Sequence, residues 1–211
     1  HNGSNHNHND LGTFTVLSGK EELLTDPGAE VYDKRTFSVN RYEGDLLNSF
    51  GHPVPVVGGK LQFPDKIYHR TGYGRDAYTV LVDTTFTEER DQVILEMDRA
   101  YKVPHLENLI RAFRYDRAGK GSVAVSDQIK FSKPDNYETA LITYANWEHT
   151  KDGNLRISAN GEAIEVEVSC EQGELEFAHC VIQESSTPTR LSWRLRKPIL
   201  EATVHIRVTP I

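Results

Sequence analysis

Apolar and polar residues alternate with a period of two along much of this 211-residue chain, which is the spacing of half-buried β-strands. Thr13–Leu17 alternates and stops at Ser18-Gly19, and Leu23–Thr25 runs into the turn sequence Asp26-Pro27-Gly28. Val54–Val57 stops at Gly58-Gly59, and Ala77–Thr85 is among the clearest strands. Val93–Ala100, Ser122–Phe131, Tyr137–Tyr144, Ile164–Ser169, Leu175–Gln183, Arg190–Arg196 and Ala202–Thr209 follow the same pattern. Leu106–Phe113 fits helical spacing through Leu106, Leu109, Ile110 and Phe113, but Leu109, Arg111, Phe113 and Tyr115 also alternate. The glycine-containing loop Asp116–Ser122 that follows favours a hairpin, so we read the segment as strand. The chain is therefore expected to be all-β, a large two-layered antiparallel β-sandwich. No repeat, low-complexity tract or Pro/Ser linker divides it, and residues 1–211 are read as one domain.

Composition narrows the function classes. Apolar residues make up 37% of the chain and charged residues 26%, enough to bury a core and too apolar for a disordered chain. No apolar run approaches the roughly 18 residues of a membrane span. The net charge is −7 and no dense basic patch exists, which argues against a nucleic-acid partner. The opening HNGSNHNHND has neither Met nor an apolar leader, and we read the chain as cut from a longer one or processed. Cys170 and Cys180 flank EQGELEFAH, a separation compatible with a hairpin disulfide and equally with two reduced cysteines.

The first 62 residues hold the chemistry. In an extended segment, side chains two apart share a face, so His6, His8 and Asp10 would project together. An H-x-H pair can bring two imidazoles onto one transition-metal ion at about 2.0–2.1 Å. Asp26 could return towards His8 on an antiparallel strand, and His52 is the remaining early histidine. His8, Asp26 and His52 would form a two-imidazole, one-carboxylate set suited to zinc. The plain alternative is a solvated polar tail followed by an ordinary turn. A cupin is disfavoured, because no Glu follows the H-x-H until Glu21. Elsewhere, Trp147 and Trp193 are read as core or edge aromatics rather than a sugar platform, and His69, Arg70 and Arg75 as a small basic loop. The glutamates of 162–176 read as a solvated face.

The series Asn5-His6-Asn7-His8-Asn9-Asp10-Leu11-Gly12-Thr13-Phe14, then Asp26-Pro27-Gly28 and Tyr32, then Asn48-Ser49-Phe50-Gly51-His52, then Gln62, resembles the opening of a known domain. It is similar to the C-terminal β-sheet domain of heparinase II/III-like polysaccharide lyases, whose members act on heparin, heparan sulfate and alginate. The blocks cover residues 1–62, and the likeness is diffuse from Tyr68 onward.

The resemblance implies a β-elimination enzyme in which an N-terminal α/α toroid packs against this domain, with the active site in the cleft between them. It places His6 as a catalytic histidine and His8, Asp26 and His52 as ligands of a zinc ion, more plausibly structural than catalytic. Tyr42, with Tyr32 second, is the candidate acid or base on this side of the cleft. The implied partners are an anionic uronate polysaccharide and the toroid, and the implied location is the periplasm or outside a bacterial cell. The competing reading is a non-catalytic carbohydrate-binding or packing module with a structural metal. A third is an unrelated metal-dependent β-domain enzyme.

Overall fold

A computed structural model describes residues 1–2, 6–64, 76–184 and 186–211. The expected basic loop around His69, Arg70 and Arg75, and Asn5 of the opening motif, lie outside the described residues. Fourteen strands are described. They are β1 (Val16–Ser18), β2 (Glu21–Leu24), β3 (Val56–Val57), β4 (Val80–Phe86), β5 (Arg90–Glu96), β6 (Leu106–Asp116) and β7 (Ser122–Asp135), then β8 (Tyr137–Thr143), β9 (Asn146–His149), β10 (Leu155–Ala159), β11 (Glu162–Cys170), β12 (Leu175–Val181), β13 (Thr189–Leu195) and β14 (Ile199–Pro210).

The strands form an all-β sandwich of two unequal antiparallel layers. The larger runs β4-β5-β6-β7-β14-β11-β10-β9 and the smaller β12-β13-β8-β3, with β1-β2 as a separate hairpin. Leu106–Phe113 is strand throughout, paired with β5 on one side and β7 on the other. Two strands go beyond those read from the sequence. Asn146–His149 is only four residues long and mostly exposed. Leu155–Ala159 does alternate, burying Leu155 and Ile157, and the Asn160-Gly161 pair that joins it to β11 is a two-residue hairpin signal. Both turn residues have positive φ, at 49° and 90°, which Asn and Gly accept most readily. Val93–Ala100 ends as a strand at Glu96 and closes in a 3₁₀ turn, Asp98–Ala100.

The core fills the space between the layers. Leu141, Leu191 and Trp193 of the small sheet face Val125, Ile157, Val166 and Ile206 of the large one, and at about 1.5–3 kcal/mol for each fully buried side chain this packing is the main favourable term. Trp193 belongs to this core, while Trp147 is half-buried and packs on Phe177 and His179 at centroid distances of 5.8 and 4.7 Å. Cys170 and Cys180 are free, on strands of different sheets.

One polar group sits deep in this interior. Arg111 on β6 and Asp127 on β7 are directly opposite in register and both essentially buried. Arg111 Nε and Nη2 donate to the two carboxylate oxygens of Asp127 at 2.7 and 2.8 Å, a bidentate pair. Tyr137, from the small sheet, donates its hydroxyl to Asp127 Oδ2 and so ties the layers together. The remaining nitrogen is used as well: Arg111 Nη1 reaches the carbonyls of Gly12 and Pro53 at 2.9 and 3.0 Å. Removing one charge strands the other, so Asp127→Ala is expected to cost about 3–5 kcal/mol in urea unfolding. The double variant Arg111→Met, Asp127→Leu should recover only part of that loss, because the Gly12 and Pro53 carbonyls lose their donor; full recovery would contradict the anchoring role.

Candidate functional site

The site is built from irregular chain, so its geometry depends on tertiary anchors. Residues 6–13 form no regular element. Gln62 holds this segment as a strand neighbour would: its Nε2 donates to the Leu11 carbonyl at 2.7 Å and its Oε1 accepts from Leu11 N at 3.1 Å. Asn9 N donates to the Leu47 carbonyl at 3.0 Å, and Asn9 Nδ2 to the Gln62 carbonyl at 3.3 Å. Gly12 turns the chain with φ +82°, a conformation that requires glycine, and a Cβ there would also push on the end of the Met97 side chain, 2.6 Å from Cε.

Three buried arginines complete the frame. Arg41 lies in the 3₁₀ turn Arg41–Glu43 and donates through Nη2 to the Asn7 carbonyl at 3.1 Å and through Nη1 to that of Thr36 at 2.9 Å. Arg111 fixes Gly12 and Pro53, as above. Arg190 on β13 donates to the Phe50 carbonyl at 2.8 Å and pairs with Glu138 at 2.8 Å. The turn before His52 is further fixed by Asn48, whose side chain accepts from Phe50 N at 2.7 Å.

Held this way, His8 and His52 stack with ring centroids 5.3 Å apart. The structure also brings in Asp10: ligand atoms of His8, Asp10 and His52 lie within 4.8 Å of one another. Asp26 joins through His52, with Oδ1 2.8 Å from His52 Nδ1, but stands outside that three-residue group. Its carboxylate is the better supported of the two. Thr13 donates its hydroxyl to Oδ2 at 2.6 Å and Gly28 N donates to Oδ1 at 3.2 Å. Burial alone would raise the Asp26 pKa, yet the hydrogen bond and charge of His52, together with the Thr13 and Gly28 donors, bring it down to about 2. Burial raises Asp10 instead. His8 is lowered to about 4, first by burial and then by its cationic surroundings, so at neutral pH it presents an uncharged imidazole with a free lone pair.

His52 provides a test of whether these residues suit a cation. It is fully buried, and each ring nitrogen faces an acceptor: Nδ1 the Asp26 carboxylate, Nε2 the Leu46 carbonyl at 3.2 Å. A neutral imidazole carries one N–H and satisfies only one of the two, whereas an imidazolium, or a metal ion on the Nδ1 side, would satisfy both. With a metal there, the Nε2–H to Leu46 would orient the ring, the usual arrangement of a metal-bound histidine. Two neutral-capable imidazoles beside carboxylates are a donor set that zinc accepts.

The proposed catalytic residues fall on one side of this group. His6 is exposed and lies against Tyr32 and Phe37, each 6.2 Å away between ring centroids. Tyr42 is half-buried and donates its hydroxyl to the Asn7 carbonyl at 3.4 Å, the group that also receives Arg41. His6 therefore does not share the face of His8 and Asp10, because the segment is not an extended strand. Arg41, Arg111 and Arg190 carry no local motif, and only their long-range contacts reveal them. Gln62→Met, nearly the same size, is expected to destabilise by about 1–3 kcal/mol in urea unfolding, since the Leu11 amide and carbonyl lose their partners. An unchanged midpoint would show that Gln62 does not hold the segment.

No family model and no curated protein sequence matches the chain. Solved structures do. Heparinase III aligns over 98% of this chain and 30% of its own, with TM-score 0.70 and 14% identity. The heparan sulfate lyase HepC from Pedobacter heparinus aligns over 96% of this chain and 30% of its own, with TM-score 0.68 and 12% identity. The gene product of another heparinase III gives TM-score 0.67 at 13% identity over 97% and 30%. The chain thus spans about a third of the length of the lyases it matches, and its fold is that of the corresponding part of heparinase III and heparan sulfate lyase.

Proposed function

We propose that this chain is the C-terminal β-sandwich domain of a heparinase II/III-like polysaccharide lyase, which cleaves uronate-containing glycans by β-elimination. The observation that carries this reading is a group of His8, Asp10 and His52, with Asp26 bonded to His52, on a sandwich that aligns along nearly its whole length with lyase structures. An N-terminal α/α toroid of the same protein would form the opposite wall of the cleft, and the substrate would be an anionic polysaccharide. The periplasm or the cell exterior suits such a substrate; among the described residues no helix is long and apolar enough to cross a membrane.

In the reaction a base takes the C5 proton of a uronate, the C4–O bond breaks, and a C4–C5 double bond forms. The departing oxygen must receive a proton. The C5–H becomes acidic enough only when the neighbouring carboxylate is neutralised, so the site needs hydrogen-bond donors or positive charge at that point. Exposed His6 is the residue of this chain assigned to exchange a proton with the substrate or donate to its carboxylate. Tyr42 is the first candidate for the second proton-transfer group and Tyr32 the alternate. Tyr32 has the more open position and sits against His6, whereas Tyr42 holds the backbone between His6 and His8.

His8, Asp26 and His52 would hold zinc. When bound, the ion supplies positive charge that fastens the two site segments together. The chain's own residues then do the rest: Arg41 and Tyr42 fix the Asn7 carbonyl, and the His6 ring is presented beside Tyr32 from a segment that cannot swing. The bulk charge of −7 opposes a polyanion, so local donors on this domain and the opposite wall must provide the attraction.

The test uses the full-length protein on a panel of uronate glycans, following the ultraviolet absorbance of unsaturated products. His6→Ala is expected to lower kcat at least about 100-fold with the melting temperature unchanged. Zinc chelation, and separately His8→Ala, are expected to lower the melting temperature. Loss of the reading would follow from absence of lyase activity on every glycan, or from full activity of His6→Ala.

A further inference from the structure

The carboxylate of Asp10 is half-buried and lies with His8 and His52 in the group whose ligand atoms are all within 4.8 Å. Asp26 receives hydrogen bonds from Thr13 and Gly28 besides its contact with His52. Among the described residues, the Asp10 carboxylate is supported by its own backbone N–H and by no other residue's donor. A partly desolvated carboxylate with so little support is costly unless a cation faces it. The imidazole beside it cannot meet the need. The nitrogens of His52 already face Asp26 and the Leu46 carbonyl, so Asp10 is a third acceptor around a ring with at most two donors.

We propose that Asp10 is a ligand of the ion in this site, so that His8, Asp10, Asp26 and His52 together close its coordination. This rests on the metal reading given above and adds a residue to it. The charge count supports the addition. Zinc with two neutral imidazoles and one carboxylate leaves a net positive charge in a largely buried site, whereas a second carboxylate brings the cluster to neutrality. The consequence is chemical: with Asp26 drawn in from its place on His52, outside the three-residue group, four protein donors would fill a tetrahedral shell, leaving no position for water or a substrate oxygen. The ion then acts only as a fastener, and the proton transfers fall to side chains such as His6.

Zinc affinity of the metal-free protein, measured by competition with a chelating dye, tests this directly. Asp10→Asn keeps the shape and removes the charge, and it is expected to weaken binding by about 100-fold or more, beyond what the loss of an orienting partner does. Cobalt loaded in place of zinc should show the intense visible bands of a four-coordinate site in the wild type and weaker ones in Asp10→Asn. Wild-type affinity in Asp10→Asn, or a five- or six-coordinate cobalt spectrum in the wild type, would overturn the role of Asp10 and leave the site of His8, Asp26 and His52 standing. Failure of the wild-type protein to take up either metal would instead remove the metal reading itself.

Discussion

A buried guanidinium has five hydrogen-bond donors that are costly to leave unused, and this fold uses that demand to hold irregular chain in place. Arg111 spends three of its nitrogens on Asp127, Gly12 and Pro53, so the central pair of the large sheet also fixes the segments carrying His8 and His52. Arg190 does the same for the chain before His52 from the small sheet, and Arg41 for the chain between His6 and His8. All three arginines are buried, so these contacts are screened less than surface pairs would be. The sandwich therefore positions the site by polar reach, since the site segments themselves have almost no strand pairing.

Under the proposed function this arrangement would separate two tasks. The inner group of His8, Asp10, Asp26 and His52 is half-buried or buried and suited to holding a cation. The outer group of His6 and Tyr32 is exposed and suited to meeting a substrate. A single residue, Asn7, joins His6 to His8, and its carbonyl is held from beneath by Arg41 and Tyr42. A rigid inner group gives the outer one a fixed position without occupying its chemistry.

Much of the fold was legible in the sequence, because burial on one face imposes the alternation seen in Ser122–Phe131 or Ala202–Thr209. Strands β9 and β10 escaped, the first because four mostly exposed residues carry almost no periodic signal, the second although Asn160-Gly161 marks its hairpin. The convergence of His52 with Asp26 was anticipated from residue type and order, yet the split between His6 and the His8–Asp10 pair was not. Spacing of two predicts a shared face only on extended chain, and residues 6–13 take their shape from Gln62, Arg41 and Arg111 instead. Those partners lie 30 to 100 residues away in the sequence, on the order of several supersecondary units, where local pattern carries no information.

The account's central claim, a cation fastening the segments of His8 and His52 while His6 stays outside, is most directly tested by anomalous X-ray scattering at the zinc edge. Crystals of the full-length protein grown with zinc should show one strong peak among His8, Asp10, Asp26 and His52, with the His6 ring turned towards Tyr32. No peak at that place, or a peak ligated by His6, would contradict it.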